Sequence, residues 1–137
     1  MNFKKILTSA KTIAIIGCSA ETNRTSFSIS RQLQRKGYEI VPVNPFYDTI
    51  LGETCYDSMT SIPDDIKIDI AVIFRNKAYT KQMVDSIVER SKTTGQKPII
   101  WTQLDVSSSE AENVAAENGL SYVANRCIAV EYAKHMD

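Results

Sequence analysis

The sequence predicts an α/β domain: a doubly wound parallel sheet of about five strands with helices on both faces. Three observations point to it. Short apolar runs recur along the chain, as strands buried on both faces require. Amphipathic stretches of about 10–15 residues separate them, and that alternation implies βαβ units with right-handed crossovers. The 137 residues fit one domain, 1–137, within the usual range of roughly 100–150.

Each element has its own signal. Thr12-Ile13-Ala14-Ile15-Ile16-Gly17 is an apolar run that ends in glycine and reads as the first strand. Phe27, Ile29 and Leu33 lie among polar residues between Ser26 and Lys36, with Gly37 as the stop, which predicts an amphipathic helix. Tyr38–Val43 is the second strand and Ile68–Phe74 the third. Met83, Ile87 and Val88 mark a helix from about Lys77 to Ser91. Pro98–Trp101 is the next strand. Ser107 to Asn118 opens with three serines and Glu110, a capping-box pattern, and stops before Gly119. Leu120–Ala124 is the last strand, with a short closing helix after it. The stretch from Pro45 to Pro63 is the least regular, with a short edge strand near Thr49–Leu51 and a turn at Gly52.

Composition narrows the function classes. Apolar residues make up 43% and charged residues 23%, and formal net charge is zero. The charges are interspersed without a basic block, which argues against nucleic acid as a partner. No apolar run approaches the ~20 residues that span a bilayer. Met1 to Thr12 is charged and amphipathic and lacks the apolar core of a signal peptide. The expected location is the cytoplasm, with no membrane partner. Cys18, Cys55 and Cys127 are odd in number and widely spaced, a poor pattern for a disulfide framework or a zinc site. His135, the one histidine, stands three residues from the end, a poor base for a catalytic triad. No metal site and no catalytic constellation is expected.

In a doubly wound sheet the ligand lies outside the carboxyl ends of the strands, near the switch in strand order. That rule selects five segments: Gly17–Ser26, Val43–Pro45, Phe74–Asn76, Trp101–Asp105 and Ala124–Cys127. In the first, only Gly17 fits the dinucleotide fingerprint G-x-G-x-x-G, because Ser19 and Thr22 replace the later glycines. The loop still suits a phosphate. Gly17 permits a tight exit from the strand, Ser19 supplies a hydroxyl, and Arg24 a fork of donors, beside the free N–H groups of a helix N-terminus. Ser19, Thr25 and Ser26 are equally readable as helix caps, and Arg24 as a solvated arginine. The second strand ends Pro42-Val43-Asn44-Pro45 and lacks the carboxylate that an NAD ribose calls for. Asn44 can bond a ribose or an adenine edge, and Asn-Pro is also a turn signal.

Further segments complete a pattern. With Ile16-Gly17-Cys18-Ser19, Arg24, Ser26, Gly37-Tyr38 and Pro42-Val43-Asn44-Pro45 go Leu51-Gly52, Cys55-Tyr56-Asp57-Ser58, Phe74-Arg75, Trp101-Thr102-Gln103-Leu104 and Asn125-Arg126-Cys127-Ile128. In these, from about Thr12 to Tyr132, the chain resembles the small stand-alone CoA-binding domain proteins, themselves similar to the N-terminal CoA-binding domain of the succinyl-CoA synthetase alpha subunit. The resemblance implies a Rossmann-like fold and binding of coenzyme A, or an acyl-CoA, at the carboxyl ends of the strands. It implies phosphate contacts from Gly17, Ser19 and Arg24, in a loop that includes Cys18 and Ser26. Val43, Asn44 and Pro45 line the adenosine side, and Phe74 and Arg75 flank the nucleotide. Gln103, Asn125 and Arg126 stand at the far strand ends. Many relatives carry proline near Thr22 and at Thr25, glycine at Asp105 and aspartate at Asn125. Asp105 is thus an added carboxylate that either repels phosphate or caps the following helix.

Ligase chemistry in the resembled family needs a phosphorylatable histidine and an ATP-binding partner domain. His135 lies outside every matched motif, so no independent ligase activity is expected. Cys18 in the loop and Cys127 beside Arg126 are either activated thiols or small packing residues. The other readings are an NAD-type dinucleotide site and an interaction module that has lost its ligand.

Overall fold

The apolar runs pair as one parallel sheet. The structure, a computed structural model, describes residues 1–136. Strands β1 (Thr12–Ile16) and β2 (Glu39–Val43), the two-residue β3 (Thr49–Ile50) and β4 (Glu53–Thr54), then β5 (Ile70–Ile73), β6 (Ile99–Thr102) and β7 (Tyr122–Val123) alternate with helices α1 (Phe3–Ser9), α2 (Thr25–Arg35), α3 (Thr80–Thr94), α4 (Ser109–Glu117) and α5 (Ile128–Met136). The main sheet has the order β2-β1-β5-β6-β7 and is parallel throughout. From β1 the chain first adds β2 on one side and then crosses back to lay β5 on the other. The switch in direction therefore falls between β1 and β5. There Ile16 stands in register with Val43 on one side and Ile73 on the other.

Alternation along the strands divides the core. Ala14, Ile16, Val43, Ala71, Ile73 and Ile100 pack with Val84, Ile87 and Val88 of α3 and Ala111 and Ala115 of α4. Ile13, Ile15, Ile70, Val72 and Trp101 pack on the opposite face, with Leu7 of α1, Ile29 and Leu33 of α2 and Ile128 of α5. Both faces are covered, so the strands read as continuous apolar runs. β2 is an edge strand, which is where a proline such as Pro42 is tolerated.

The structure departs from the sequence expectations at four places. The N-terminal segment forms α1, with the Asn2 side chain accepting from the Lys5 N–H. The short strand at Thr49–Ile50 does not edge the main sheet. It forms a separate antiparallel ribbon with β4, turning through Leu51 at φ 55° and Gly52 at φ 77°. A 3-10 turn at Lys77–Tyr79 precedes α3, which starts at Thr80. At α4 the N-cap is Ser108, whose hydroxyl accepts from the Ala111 N–H; that shifts Glu110 out of the reciprocal position a capping box needs. The loop from Pro63 to Ile66 is held by Arg90 of α3, whose Nη2 donates to both carbonyl oxygens at 2.8 and 2.9 Å.

Candidate ligand-binding site

The site is built where β1 and β5 end. The Gly17 N–H donates to the Val43 carbonyl at 2.8 Å and the Phe74 N–H to the Ile16 carbonyl at 2.9 Å, so the ends of β2, β1 and β5 are tied together. Gly17 sits at φ +85°, in the left-handed region. A Cβ there would lie 3.0 Å from Cδ and 3.1 Å from Cγ of Arg75. The aliphatic stem of Arg75 thus crosses over the glycine. Its guanidinium is 4.6 Å from the centre of the Tyr79 ring. The absent side chain at position 17 is what lets an arginine lie across the switch point.

The loop after Gly17 is folded by two serines. The Ser19 N–H donates to Ser26 Oγ at 3.0 Å, and the Glu21 N–H donates to Ser19 Oγ at 3.0 Å. Both serines are buried. Ser26 therefore braces the loop and is not the helix cap. The cap position is Arg24, which makes no side-chain cap hydrogen bond. Arg24 is 65% exposed and meets Glu21 only at 4.0 Å. The N-terminus of α2 lies at the carboxyl edge with an arginine at its cap position. Cys18 is fully buried, with Sγ 3.5 Å from Ser30 Oγ, and burial pushes its thiol up. Its side chain belongs to the α2-side core, which settles it as a packing residue.

On the β2 side, Asn44 links two walls. Its Nδ2 donates to the Cys18 carbonyl at 2.9 Å and its Oδ1 accepts from the Phe46 N–H at 2.9 Å. Asn44 thus ties the β1 loop to the turn after β2. Cys55 is buried beside it, Sγ 3.4 Å from the Asn44 carbonyl, and burial raises this thiol too. Val43 and Pro45 line a cavity of about 230 Å³, together with Ile16, Gly17, Met59, Met83 and Arg75. Asp57, Ser58, Gln82 and Ser86 complete it. Ser58 is engaged with Thr60 and Ser61. Among the described residues no side chain bonds to those of Asp57, Gln82 or Ser86, of which Asp57 and Gln82 are exposed. The α3 wall and Asp57 were missed from sequence. The available signal was Gln82 and Ser86 four apart on a helix whose next face, Met83 and Ile87, is apolar.

The far strand ends are arranged differently. Phe74 is half-buried against the α2-side core. Gln103 is buried and its Oε1 accepts from the Ile128 N–H at 2.9 Å, capping α5. Asn125 and Asp105 both take left-handed backbones, φ 59° and 64°, and Asn125 Oδ1 accepts from the Asp105 N–H at 2.8 Å. Asp105 is exposed and does not cap α4, a role filled by Ser108. Arg126 reaches away from the cavity to Glu131 at 3.1 Å, and its guanidinium lies 5.0 Å from the Phe3 ring centre. Glu131 is buried and also meets His135 at 3.2 Å. Trp101 Nε1 donates to the Arg126 carbonyl at 2.7 Å. Gln103 and Arg126 therefore fasten α5 and α1 to the sheet, and Asn125 ties the loop after β7 to the loop after β6. Cys127 is half-buried at the start of this cluster. Among the described residues no group of three or more His, Cys, Asp or Glu is placed to hold a metal ion, and no helix is long and apolar enough to cross a membrane.

Gly17 and Arg75, with Val43 and Pro45, are thus brought to one apolar crevice, while Arg24 stands exposed at the cap position of α2, outside its lining. Comparison with known proteins gives the family. A CoA binding domain family model matches residues 11–133. The chain is 34% identical to the protein YneT of Bacillus subtilis (strain 168), covering 95% of this chain and 91% of that protein. It is 31% identical to an acetate–CoA ligase (ADP-forming) of Methanocaldococcus jannaschii over 89% of this chain, but spans only 16% of the ligase. A solved structure of a hypothetical protein from Pyrococcus horikoshii superposes with a TM-score of 0.89 at 33% identity, covering 98% of this chain and 90% of that one. The match extends from β1 into α5 and includes every strand and loop of the crevice: the chain belongs to the CoA binding domain family.

Proposed function

We propose that the protein binds coenzyme A, or an acyl-CoA, across the carboxyl edge of its sheet and has no ligase activity of its own. The observation that carries this is the apolar crevice at the β1–β5 switch, lined by Arg75, in a chain of the CoA binding domain family. A cavity of about 230 Å³ is below the roughly 300–1,000 Å³ of a site that encloses a whole ligand. It suits one group of a long, extended molecule. Asp57 has no cation paired with it, and an unpaired carboxylate repels phosphate. The phosphates then lie toward Arg24 and the α2 N-terminus, with Arg75 between the two ends. The adenine ring occupies the slot walled by Val43, Pro45 and Met83.

The ligase activity named for the longer relatives belongs to chains of which this one spans 16%. His135 is engaged with Glu131 on α5 and is not part of the crevice. The reading goes with a cytoplasmic location, where thiols are kept reduced.

Calorimetric titration of the reduced protein with CoA, NAD and ATP tests the proposal. Saturable binding of CoA without NAD is expected. Arg24→Ala then weakens CoA by roughly three- to tenfold, since a charge-assisted contact from an exposed arginine is partly screened. Binding of NAD and not CoA overturns the proposal. Silence from all three, with the protein folded and free of carried-over ligand, favours an interaction module.

A further inference from the structure

Of the large apolar side chains, Phe46 is the most exposed, at 84%. A single exposed phenylalanine is ordinary on a protein surface. Its position is what sets this one apart. It follows Pro45, which lines the slot. Its backbone is not loose: the Phe46 N–H is held by Asn44 Oδ1 at 2.9 Å, and Asn44 Nδ2 holds the Cys18 carbonyl of the β1 loop. The next residue, Tyr47, packs into the α2-side core, while Phe46 joins neither core cluster. The chain is therefore anchored on both sides of Phe46, and the ring alone is left in solvent.

The other lip of the slot carries a flat partner. The Arg75 stem lies across Gly17, and its guanidinium is backed by the Tyr79 ring at 4.6 Å. Tyr79 is itself 44% exposed. A slot whose β2-side wall, Pro45, runs directly into a free aromatic ring, and whose β5 side is lined by a supported planar cation, has the character of a stacking site. Aromatic faces and guanidinium planes both stack on nucleobases. We infer that Phe46 is a specificity-determining residue that stacks on the planar base of the ligand and selects a nucleobase for this slot. The inference deepens the CoA reading and rests on it, because it assigns the base end of the ligand to this slot and gives Phe46 the discrimination.

The test separates the two ends of the ligand. Phe46→Ala and Phe46→Trp are titrated with CoA, with ADP as the base-bearing fragment and with pantetheine as the base-free one. Thermal melting of each variant is expected to match the unsubstituted protein, because an exposed ring outside both cores contributes little to folding. Phe46→Ala is expected to weaken CoA about tenfold, which is roughly 1.4 kcal/mol and within the range for loss of one stacked base. ADP weakens in proportion, and pantetheine is unaffected. In Phe46→Trp the new indole is quenched by CoA and ADP and not by pantetheine. Trp101, fully buried, supplies a constant background. CoA binding that is indifferent to Phe46→Ala, or a loss shared by pantetheine, overturns the inference and leaves the CoA reading standing. Failure of the unsubstituted protein to bind CoA overturns both.

Discussion

Gly17 shows how one missing side chain organises the crevice. Its left-handed backbone costs an L-residue about 1–2 kcal/mol, and a methyl there would press on the Arg75 stem at 3.0 Å. Gly17→Ala is therefore expected to lower stability by about 1–3 kcal/mol and to weaken CoA by displacing Arg75. Chemical unfolding and calorimetry on the same variant read the two effects. Unchanged affinity would remove Arg75 from the site. The glycine was legible from sequence because a strand ending in glycine is a known signal, but its real partner was not. Arg75 is distant in sequence, and only the parallel pairing of β1 with β5 lays it across Gly17. Cys18 and Asn44 lay in the right loop and at the right strand end, yet their side chains turned inward. Which way a loop side chain turns depends on distant contacts, Ser30 for Cys18 and the Cys18 carbonyl for Asn44, which no local pattern contains.

The elements divide into those that receive a ligand and those that hold the fold. Both α2 and α5 begin at the carboxyl edge. The N-terminus of α5 is capped by Gln103, and Arg126 beside it is drawn to Glu131. The cap position of α2 has no such bond, and Arg24 stands largely in solvent. The two arginines looked alike from sequence, since both fall just past a strand. They are expected to behave oppositely. Arg126→Ala removes a bond to a buried carboxylate and a contact with Phe3, and costs about 1–2 kcal/mol of stability. It leaves CoA affinity within about twofold. Arg24→Ala does the reverse. Loss of CoA affinity in Arg126→Ala at unchanged stability would return Arg126 to the site. The strands were legible because burial on both faces leaves continuous apolar runs. The α1 helix was not, because its seven residues are too few for a periodic pattern and depend on packing against α5 and Trp101 for their stability.

At the scale of the whole molecule, the two ends of the sheet have separate duties. The carboxyl edge carries the slot. At the amino edge the Tyr38 hydroxyl donates to the Leu7 carbonyl, joining the start of β2 to α1, and its ring meets Tyr132 of α5 at 6.1 Å. Burial, with a smaller contribution from Tyr132, pushes the Tyr38 hydroxyl from 10.0 up to about 12. The buried Cys18 and Cys55 thiols are raised from 9.0 as well, each first by burial. In all three the folded protein holds its proton more tightly than the unfolded chain. Their stabilising contribution is fully present below pH 9, and it declines as the unfolded thiols and then the unfolded tyrosine ionise. For Tyr38 the loss runs from about pH 10 to about 12. Unfolding free energy measured in urea at a series of pH values is therefore expected to fall over that range. Tyr38→Phe lacks this dependence: it is less stable than the unsubstituted protein at pH 7, where the hydrogen bond to Leu7 is lost, and the gap closes as pH rises toward 12. A gap that stays constant with pH would mean that Tyr38 ionises as easily in the folded protein as in the unfolded one.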